Sequence, residues 1–431
     1  MKNKIELTSE IKYQLLRDIS HKIRGTLDLD KILNLLLDLL SNIIDYDAVG
    51  IFILSQDINH PGYHYSKQKI ASMVQRGFGN LPLESDAMLM EGKGIIGQTI
   101  KTGKSIILND VSKDDRYIAG RKESQSEITA PILRDGKTIG ALNVESDKLA
   151  AFDPDDINIL NFFAEASSIS IEKALLHYQI LEKKKIEEQL KLAKDVQLGL
   201  LPSSEPEVSG YSFASVCIPT YEIGGDYFDY IPIDENRIAI VIADVSGDGV
   251  PAALIMAAFR ALLRYNAKLF SDPAKLMHLL NEHVSEFMRK RDFISIFYGI
   301  LNYRDHSFTY CNCGHNPALH YNSTGTKLLE GGGPSLNLLK EAGFKTVELN
   351  LDKCDQILFY TDGVVEVFST DKKQFGLEKL IETFNSNADK SPGKITKEII
   401  SATKNFSSSD FYNDDFTLLV LKRNDWLIFS I

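Results

Sequence analysis

Apolar residues divide the chain into a helical start, a run of short strands, a long polar helix and a second strand-rich region. Near the start they recur at helical spacing over residues 11–44, with a break at Gly25-Thr26. Short apolar runs then predict strands at 48–54 and 105–108, and a hairpin formed by 128–133 and 138–144. A helix with acidic residues in its first turn is predicted to begin at Asp153-Pro154.

The stretch 171–201 is polar, and its pattern predicts a helix that ends at Leu201-Pro202. One narrow apolar stripe follows it: Ile186, Leu190, Ala193, Val196 and Leu200. Such a helix either covers its own domain or connects two domains and pairs with a second copy of the chain. The second interpretation is favoured, because the helix joins two β-rich regions and the stripe is narrow.

The third region alternates strands with helices. Its predicted helices are 251–269 and 273–290, and its predicted strands are 237–244, 294–303, 307–312, 318–321, 356–360 and 416–422. This mixture of strands and helices predicts an α+β fold class.

Length and composition narrow the functional classes. A chain of 431 residues predicts two to three domains, and a net charge of -11 argues against nucleic-acid binding. Four cysteines in this length are not a disulfide framework. No apolar run is long enough to span a membrane, and the first residues lack the apolar core of a signal peptide. We therefore expect a cytoplasmic protein that is not membrane-bound.

Acidic residues stand beside the apolar strands of the third region. They occur in four turns: Gly224–Asp229, Asp244–Gly249, Thr361–Gly363 and Asn413–Phe416. A single aspartate beside a strand is usually a turn residue or a helix cap. Four in one domain suggest converging carboxylates, which repel each other unless a cation lies between them. Oxygen ligands without histidine or cysteine at metal spacing favour Mg²⁺ or Mn²⁺, and a cluster of this size could bridge two ions.

These blocks resemble, in order, those of bacterial PP2C-like (PPM) serine/threonine phosphatases of the SpoIIE/RsbU type. The motifs are GGDYFD, DVSGDGVPAA, CGHNPA, YTDGVVE and DDFTLLV, and the match covers 203–423. The resemblance implies an αββα sandwich with a metal site at the sheet edge. It also implies hydrolysis of phosphoserine or phosphothreonine on an anti-sigma-factor antagonist protein.

The resemblance also implies residue roles. The positions that match metal ligands are Asp226, Asp244, Asp362, Asp414 and, by its backbone carbonyl, Val245. The four aspartates would act in catalysis through a metal-activated water. Supporting or reserve positions are Gly225, Asp229, Gly363, Glu366 and Asp415, the last as the alternative to Asp414. Asp248 stands where relatives often have lysine or histidine, so the identity of a general acid stays open.

Cys311, Cys313 and His315 could be read as a zinc site. Zinc sites usually have two ligand pairs with at least two residues between the cysteines. Here one residue intervenes, and strand alternation puts both sulfurs on one face. We therefore predict buried packing for the cysteines and a structural hydrogen-bonding role for His315.

The front region resembles a GAF domain over residues 11–178. The residues that carry the resemblance are 92–98, 102–111, 130–133, 140–144 and Phe152. The family implies an antiparallel sheet with helices on both sides, and either a small ligand or dimerisation. All four cysteines follow residue 210, which excludes a bilin attached to a GAF cysteine. The sequence does not choose between a ligand-binding GAF domain and one that only dimerises or binds a partner.

Together these patterns predict a tail (1–10), a GAF domain (11–178), a helical linker (179–202), a phosphatase domain (203–423) and a second tail (424–431). The predicted protein is a homodimeric, metal-dependent phosphatase regulated by its GAF domain. One alternative is a diguanylate cyclase, since Gly224–Phe228 resembles the Gly-Gly-Asp-Glu-Phe signature with tyrosine in place of glutamate. The other is a pseudophosphatase that binds its partner without hydrolysis, although four retained aspartates argue against a dead site.

Overall fold

The computed structural model describes residues 28–54, 70–78, 92–220, 223–407, 412 and 414–425, together with the single positions 14 and 17. The chain separates into two compact units, Met1–Ile186 and Glu187–Ile431. Of the helix predicted over 11–44, the part before Asp28 lies outside the described residues, apart from positions 14 and 17. The described helix of this region is α1, Leu29–Ser41, which Asp28 caps by accepting a hydrogen bond from the Lys31 amide.

The first unit is built on a five-stranded antiparallel sheet in the order β2-β1-β5-β4-β3. Its strands are β1 (Ala48–Leu54), β2 (Ile70–Arg76), β3 (Ile106–Leu108), β4 (Ser126–Arg134) and β5 (Lys137–Ser146). Helix α2 spans Gly94–Thr102, and α3 begins at Pro154 as predicted. The predicted hairpin is confirmed, because β4 and β5 pair through the turn at Asp135-Gly136.

One face of this sheet carries the hydrophobic core. Ile51, Ile128 and Val144 pack there against α1 and the first turns of α3, from which Leu36 and Phe163 are fully buried. Strand alternation places the intervening residues of β4 and β5 on the opposite face.

Helix α3 is one continuous element, Pro154–Leu198, rather than a closing helix followed by a separate linker. Several of its apolar side chains are exposed in the single chain: Ile169, Leu176, Ile180, Leu181, Ile186, Leu192, Val196 and Leu198. A helix that exposes this much apolar surface has an unpartnered face.

The second unit contains two sheets. The first has the order β13-β10-β9-β8-β7, with β14 also paired to β10, and the second has the order β12-β11-β15-β16-β6. The strands are β6 (Tyr211–Ile218), β7 (Tyr227–Pro232), β8 (Arg237–Val245), β9 (Ile294–Asn302), β10 (Ser307–Cys313), β11 (Ala318–Asn322), β12 (Gly325–Leu329), β13 (Gly332–Gly333), β14 (Val347–Asn350), β15 (Gln356–Tyr360) and β16 (Phe416–Arg423). The helices are α4 (Gly249–Ala267), α5 (Pro273–Val284), α6 (Asp362–Val365), α7 (Gly376–Asn385) and α8 (Pro392–Ser407).

These elements pack into an αββα sandwich with three hydrophobic cores between its layers. Helices α4 and α5 cover the first sheet, with Phe259 and Leu280 buried against Tyr298. Between the sheets, Phe297 of β9 packs edge-on against Phe359 of β15. Helices α7 and α8 cover the outer face of the second sheet. The predicted α+β fold class and sandwich are confirmed.

Most predicted bounds in this unit differ from the structure by one or two residues. The helix predicted over 273–290 is shorter, since α5 ends at Val284 and the chain continues as turns with hydrogen bonds between residues three apart. Strands β6 and β7 and helices α7 and α8 lack a strong enough pattern and were not predicted. Among the described residues, no helix combines the length and apolar character needed to cross a membrane.

Candidate active site at the strand ends

Four aspartates from four separate segments influence one another at the ends of the central strands. Asp226 directly precedes β7, Asp244 lies near the end of β8, Asp362 follows β15, and Asp414 shortly precedes β16. Burial, followed by the charges of Asp362 and Asp414, raises the pKa of Asp244 to about 7. Burial and the charge of Asp244 raise the pKa of Asp226 as well. These shifts are those of converging carboxylates.

The tightest group consists of Asp362, Glu366 and Asp414. Each offers one carboxylate oxygen, and the three oxygens all lie within 4.8 Å of one another. Glu366 lies four residues after Asp362, so the short helix α6 places both on one side of a turn. The family resemblance makes Glu366 a supporting position rather than a ligand, and its spacing of four residues from Asp362 is the sequence signal that points to it.

Asp226 is almost fully buried and is oriented by a neighbouring strand. The Thr361 hydroxyl donates to Asp226 Oδ2 at 2.8 Å, and the Thr361 Oγ1 accepts from the Thr417 amide at 3.0 Å. Thr361 is fully buried and was not singled out from the sequence. Thr361 therefore links Asp226, beside the first sheet, to Thr417 in the second sheet.

The carboxylates of Asp415 and Asp414 accept different hydrogen bonds. Its Oδ1 accepts from the Thr220 amide at 2.9 Å, and its Oδ2 accepts from the Gly225 amide at 2.7 Å. Both oxygens therefore hold the segment that leads to Asp226. Asp414, by contrast, uses Oδ1 to accept from the Asp415 amide at 2.7 Å and lies in the acidic triplet. Asn413 of the same block lies outside the described residues.

Two glycines permit close backbone approach at this site. A Cβ on Gly225 would lie 2.8 Å from the Val245 carbonyl oxygen, and one on Gly363 would lie 2.1 Å from the Asp415 carbonyl oxygen. Neither position can accept a side chain without displacing backbone. The Val245 carbonyl, predicted as a metal ligand, is thus beside the Gly225-Asp226 segment.

Asp229 contacts side chains of β7 and α4 rather than the other aspartates. It accepts hydrogen bonds from the Tyr227 hydroxyl at 2.6 Å and from Arg264 Nη1 at 3.1 Å, and Arg260 lies 4.0 Å away. A buried carboxylate with these partners anchors β7 to α4. This contact set fits the structural alternative for Asp229.

The donor set fits divalent metal ions. Within the described part of the chain, no salt bridge joins Asp226, Asp244, Asp362 or Asp414 to a lysine, arginine or histidine. Buried carboxylates without a cationic partner are costly. Oxygen-only donors suit Mg²⁺ or Mn²⁺. The four aspartates, the Val245 carbonyl and Glu366 are the groups that would hold such ions.

The Cys-His motif is packed rather than arranged for a metal. Cys311 and Cys313 are fully buried, with their sulfurs 3.4 Å apart, on the face of β10 that α5 covers. His315 Nδ1 is 2.7 Å from the Ser295 hydroxyl oxygen, and burial lowers its pKa to about 4. The acidic triplet is the only three-residue metal group that the described residues contain.

Sequence comparison identifies both units. Residues 234–424 match the SpoIIE family, described as Stage II sporulation protein E, and residues 26–172 match a GAF domain family. Phosphoserine phosphatase RsbU of Bacillus subtilis (strain 168) is 28% identical over 277 residues, which are 63% of this chain and 81% of RsbU. Protein YtsP of the same organism is 34% identical over 119 residues, 28% of this chain and 69% of YtsP.

A solved structure supports the fold of the second unit. The PP2C domain of SiaA from Pseudomonas aeruginosa superposes with a TM-score of 0.51 at 17% identity, over 56% of this chain and 98% of that domain. The αββα sandwich, the acidic strand ends and the two family matches agree. The chain belongs to the PP2C-like phosphatases of the SpoIIE/RsbU type and carries an N-terminal GAF domain.

Proposed function

We propose that the second unit hydrolyses phosphoserine or phosphothreonine on a partner protein with the help of two Mn²⁺ or Mg²⁺ ions. The observation that carries this proposal is the convergence of Asp226, Asp244, Asp362 and Asp414 without a described cationic side chain among them. Ions bound there would supply a water of lowered pKa and neutralise phosphoryl charge. Net hydrolysis adds water across the phosphorus–oxygen bond and releases the side-chain hydroxyl and inorganic phosphate.

The chain's own residues prepare this site. Thr361 holds one oxygen of Asp226, and Asp415 holds the backbone of Gly225. Both contacts restrict the carboxylate geometry before any ion arrives, which reduces the ordering cost of binding. The raised pKa of Asp244 means that protons compete with cations for the site.

The substrate proposal rests on the family. We take the partner to be the phosphorylated form of an anti-sigma-factor antagonist in a partner-switching pathway of the bacterial cytoplasm. RsbU, which matches 63% of this chain, is itself named a phosphoserine phosphatase. A protein substrate would reach the acidic cluster from solvent, because Asp362 and Asp414 are only partly buried and Glu366 is exposed.

Regulation is proposed to pass from the GAF domain through α3. Its exposed apolar residues, including Ile186 and Val196, would pair with the same helix of a second copy. A change in that pairing would bias the order of the active site as a two-state element. The described α3 is continuous from Pro154 to Leu198, which is the connectivity this mechanism needs.

The test is phosphate release by the full chain from a phosphoserine-bearing antagonist protein, with p-nitrophenyl phosphate as a general probe. Release should require Mn²⁺ or Mg²⁺ and be lost in Asp362→Asn. Asp371→Asn changes an exposed aspartate in the same region and is the matched control. Release without divalent ions, or full activity in Asp362→Asn, would overturn the metal mechanism.

The same preparation separates the two alternatives. A diguanylate cyclase would convert GTP to a cyclic dinucleotide, which product analysis detects. A pseudophosphatase would bind the phosphorylated antagonist but release no phosphate with any divalent ion. The phosphatase proposal requires the opposite result in both experiments.

A further inference from the structure

A basic turn lies close to the acidic active site. Between α5 and β9 the chain has Arg289, Lys290 and Arg291 in succession, and all three are exposed. Asp292 is the only acidic residue within 287–293, and its Oδ1 lies 3.7 Å from Arg291 Nε. Among the described residues, Arg289 and Lys290 form no salt bridge. In a chain with a net charge of -11, this turn is a local surface of the opposite sign.

The pairing of β8 with β9 limits the distance between the basic turn and a candidate metal ligand. Ser295 of β9 stands opposite Asp244. The pairing continues beyond β9, because the Ser246 amide donates to the Phe293 carbonyl at 3.0 Å and the Phe293 amide donates to Ser246 Oγ at 2.8 Å. Arg291 is four residues before Ser295, so its Cα lies within about 15 Å of the position opposite Asp244.

An apolar side chain lies between the basic turn and the acidic site. Side chains two residues apart on a strand share a face, so Phe293 is on the same face as Ser295 and as Asp244 opposite it. Phe293 is 37% exposed. A molecule that extends from Asp244 toward the basic turn would therefore meet an aromatic ring.

A second apolar element is held against the basic turn by an asparagine side chain. Asn337 Nδ2 donates to the Arg289 carbonyl at 2.9 Å and to the Asp292 carbonyl at 2.7 Å. The two residues that follow it, Leu338 and Leu339, are 58% and 54% exposed. Exposed apolar residues grouped beside charged ones are typical of an interaction surface.

We propose that this surface binds acidic and apolar residues that flank the phosphorylated residue of the substrate protein. It is called the basic-apolar surface below and consists of Arg289, Lys290, Arg291, Phe293, Leu338 and Leu339. The proposal rests on the proposed phosphatase function, because a phosphoryl group at the acidic site determines where its flanking residues lie. An extended chain rises about 3.3 Å per residue, so residues about four or five positions from the phosphorylated one would reach the basic turn.

Charge complementarity favours a protein over nucleic acid as the occupant. The basic turn would attract carboxylates and accelerate association, while the exposed leucines would bury apolar side chains. A nucleic acid that followed the same path would bring its regularly spaced phosphates against the carboxylates of the active site. A protein can instead place its acidic residues opposite the basic turn alone.

The test compares two synthetic phosphoserine peptides on the full chain in Mn²⁺. Glutamates and leucines flank the phosphoserine in the first peptide, and glutamines replace the glutamates in the second. Released phosphate measures turnover, and fluorescence anisotropy measures binding of the same peptides with a non-hydrolysable phosphonate. The acidic peptide should bind about three- to tenfold tighter, as expected for two or three exposed ion pairs, and should have a lower KM. Added NaCl should reduce this preference, because salt screens exposed charges.

Charge variants localise the preference. The double variant Arg289→Gln and Lys290→Gln should reduce the preference for the acidic peptide to less than about twofold, whereas Arg289→Lys should retain it. The matched control is Lys394→Gln with Lys397→Gln, which removes two exposed charges from α8 and should retain the preference. Hydrolysis of p-nitrophenyl phosphate should be unchanged in every variant, because this probe has no flanking residues.

An apolar variant tests the leucines separately. Leu338→Gln should weaken both peptides several-fold and to the same extent, since both carry the flanking leucines. Leu149→Gln is the matched control, because Leu149 of the GAF domain is also 58% exposed. It should leave both affinities unchanged.

The outcomes separate this proposal from the phosphatase reaction. Equal binding of the two peptides, an unchanged preference in the Arg289 and Lys290 double variant, or an equal loss with p-nitrophenyl phosphate would each overturn the basic-apolar surface. A labelled oligonucleotide that binds as tightly as the acidic peptide would also overturn it. A preference that depends on Arg289 and Lys290 without any phosphate release would support the surface and refute the proposed reaction.

Discussion

The side-chain amide of Gln197 is joined by two hydrogen bonds to the backbone of Gly224. Gln197 Nε2 donates to the Gly224 carbonyl at 2.7 Å, and Gln197 Oε1 accepts from the Gly224 amide at 3.2 Å. Gln197 lies in the last turn of α3, and Gly224 lies two residues before Asp226. One side chain therefore ties the end of the long helix to the backbone that carries a candidate metal ligand.

Gln197→Ala should weaken the active site without unfolding the domain. Two net hydrogen bonds of about 1 kcal/mol each are lost, so Mn²⁺ affinity is expected to fall several-fold, up to about tenfold. Calorimetric Mn²⁺ binding and the Mn²⁺ dependence of phosphate release would both report it. Gln189→Ala, at an exposed position of the same helix, is the control. Identical Mn²⁺ affinity in the two variants would show that the contact does not order the site.

Asp414→Asn should lose Mn²⁺ binding, whereas Asp415→Asn should lose stability. Removing the Asp414 charge relieves repulsion with Asp362, so the metal-free protein should keep or gain stability while Mn²⁺ binding is lost. An asparagine at 415 cannot accept from both the Thr220 and Gly225 amides, and leaving one buried amide unpaired costs about 1–3 kcal/mol. Thermal unfolding in EDTA and Mn²⁺ titration separate the two effects. The assignment is wrong if Asp415→Asn loses only metal binding and Asp414→Asn loses only stability.

Glu366→Gln should reduce metal affinity only partially. Its carboxylate completes the triplet with Asp362 and Asp414 but is the most exposed of the three, so several-fold weaker Mn²⁺ binding is expected. Glu382→Gln on α7 is an exposed control. A Mn²⁺ titration that coincides with wild type would remove Glu366 from the ligand set.

Glu127→Gln should stabilise the ligand-free GAF sheet at high pH. The folded carboxyl has a pKa above its ordinary 4.5, so the folded state retains a proton that the unfolded state releases. Wild-type stability therefore falls as pH rises from about 4.5 toward the folded pKa, and glutamine avoids this loss. Hydrogen exchange of 126–146, corrected for intrinsic rates, should show greater protection in the variant at pH 8 and a smaller difference at pH 5. Glu123→Gln should match wild type at both values, and a pH-independent difference would argue against the titration.

Pairing of α3 is testable by sedimentation. The wild type is expected to be a dimer, and the double variant Ile186→Glu and Val196→Glu should be monomeric because it places charges on exposed apolar positions. Glu188→Gln, on the same helix, should remain dimeric. A wild-type monomer at micromolar concentration, or a dimeric double variant, would contradict helix pairing.

Local sequence patterns correctly predicted many of the strands and helices. Strand β15 has its predicted bounds, and β8, β9 and β16 lie within one or two residues of theirs, because alternation and apolar runs reflect burial that each strand experiences along its own length. The predicted helix 273–290 was too long because the residues after Val284 carry no sequence signal for the change from helix to turns. Strand β6 was missed because it is specified mainly by pairing with β16, near the other end of the unit's sequence.

The sequence by itself determined the fold class, the residue types of the candidate metal site and the resemblance to two families, since ordered motifs and residue chemistry are properties of the chain. Only the tertiary structure decided how these residues meet. It separated Asp414 from Asp415, added Glu366 and Thr361, joined Gln197 to Gly224 and set Glu127 opposite Glu145. Each of these relationships depends on sheet register or on contacts between segments far apart in sequence, and no local propensity encodes such a distance.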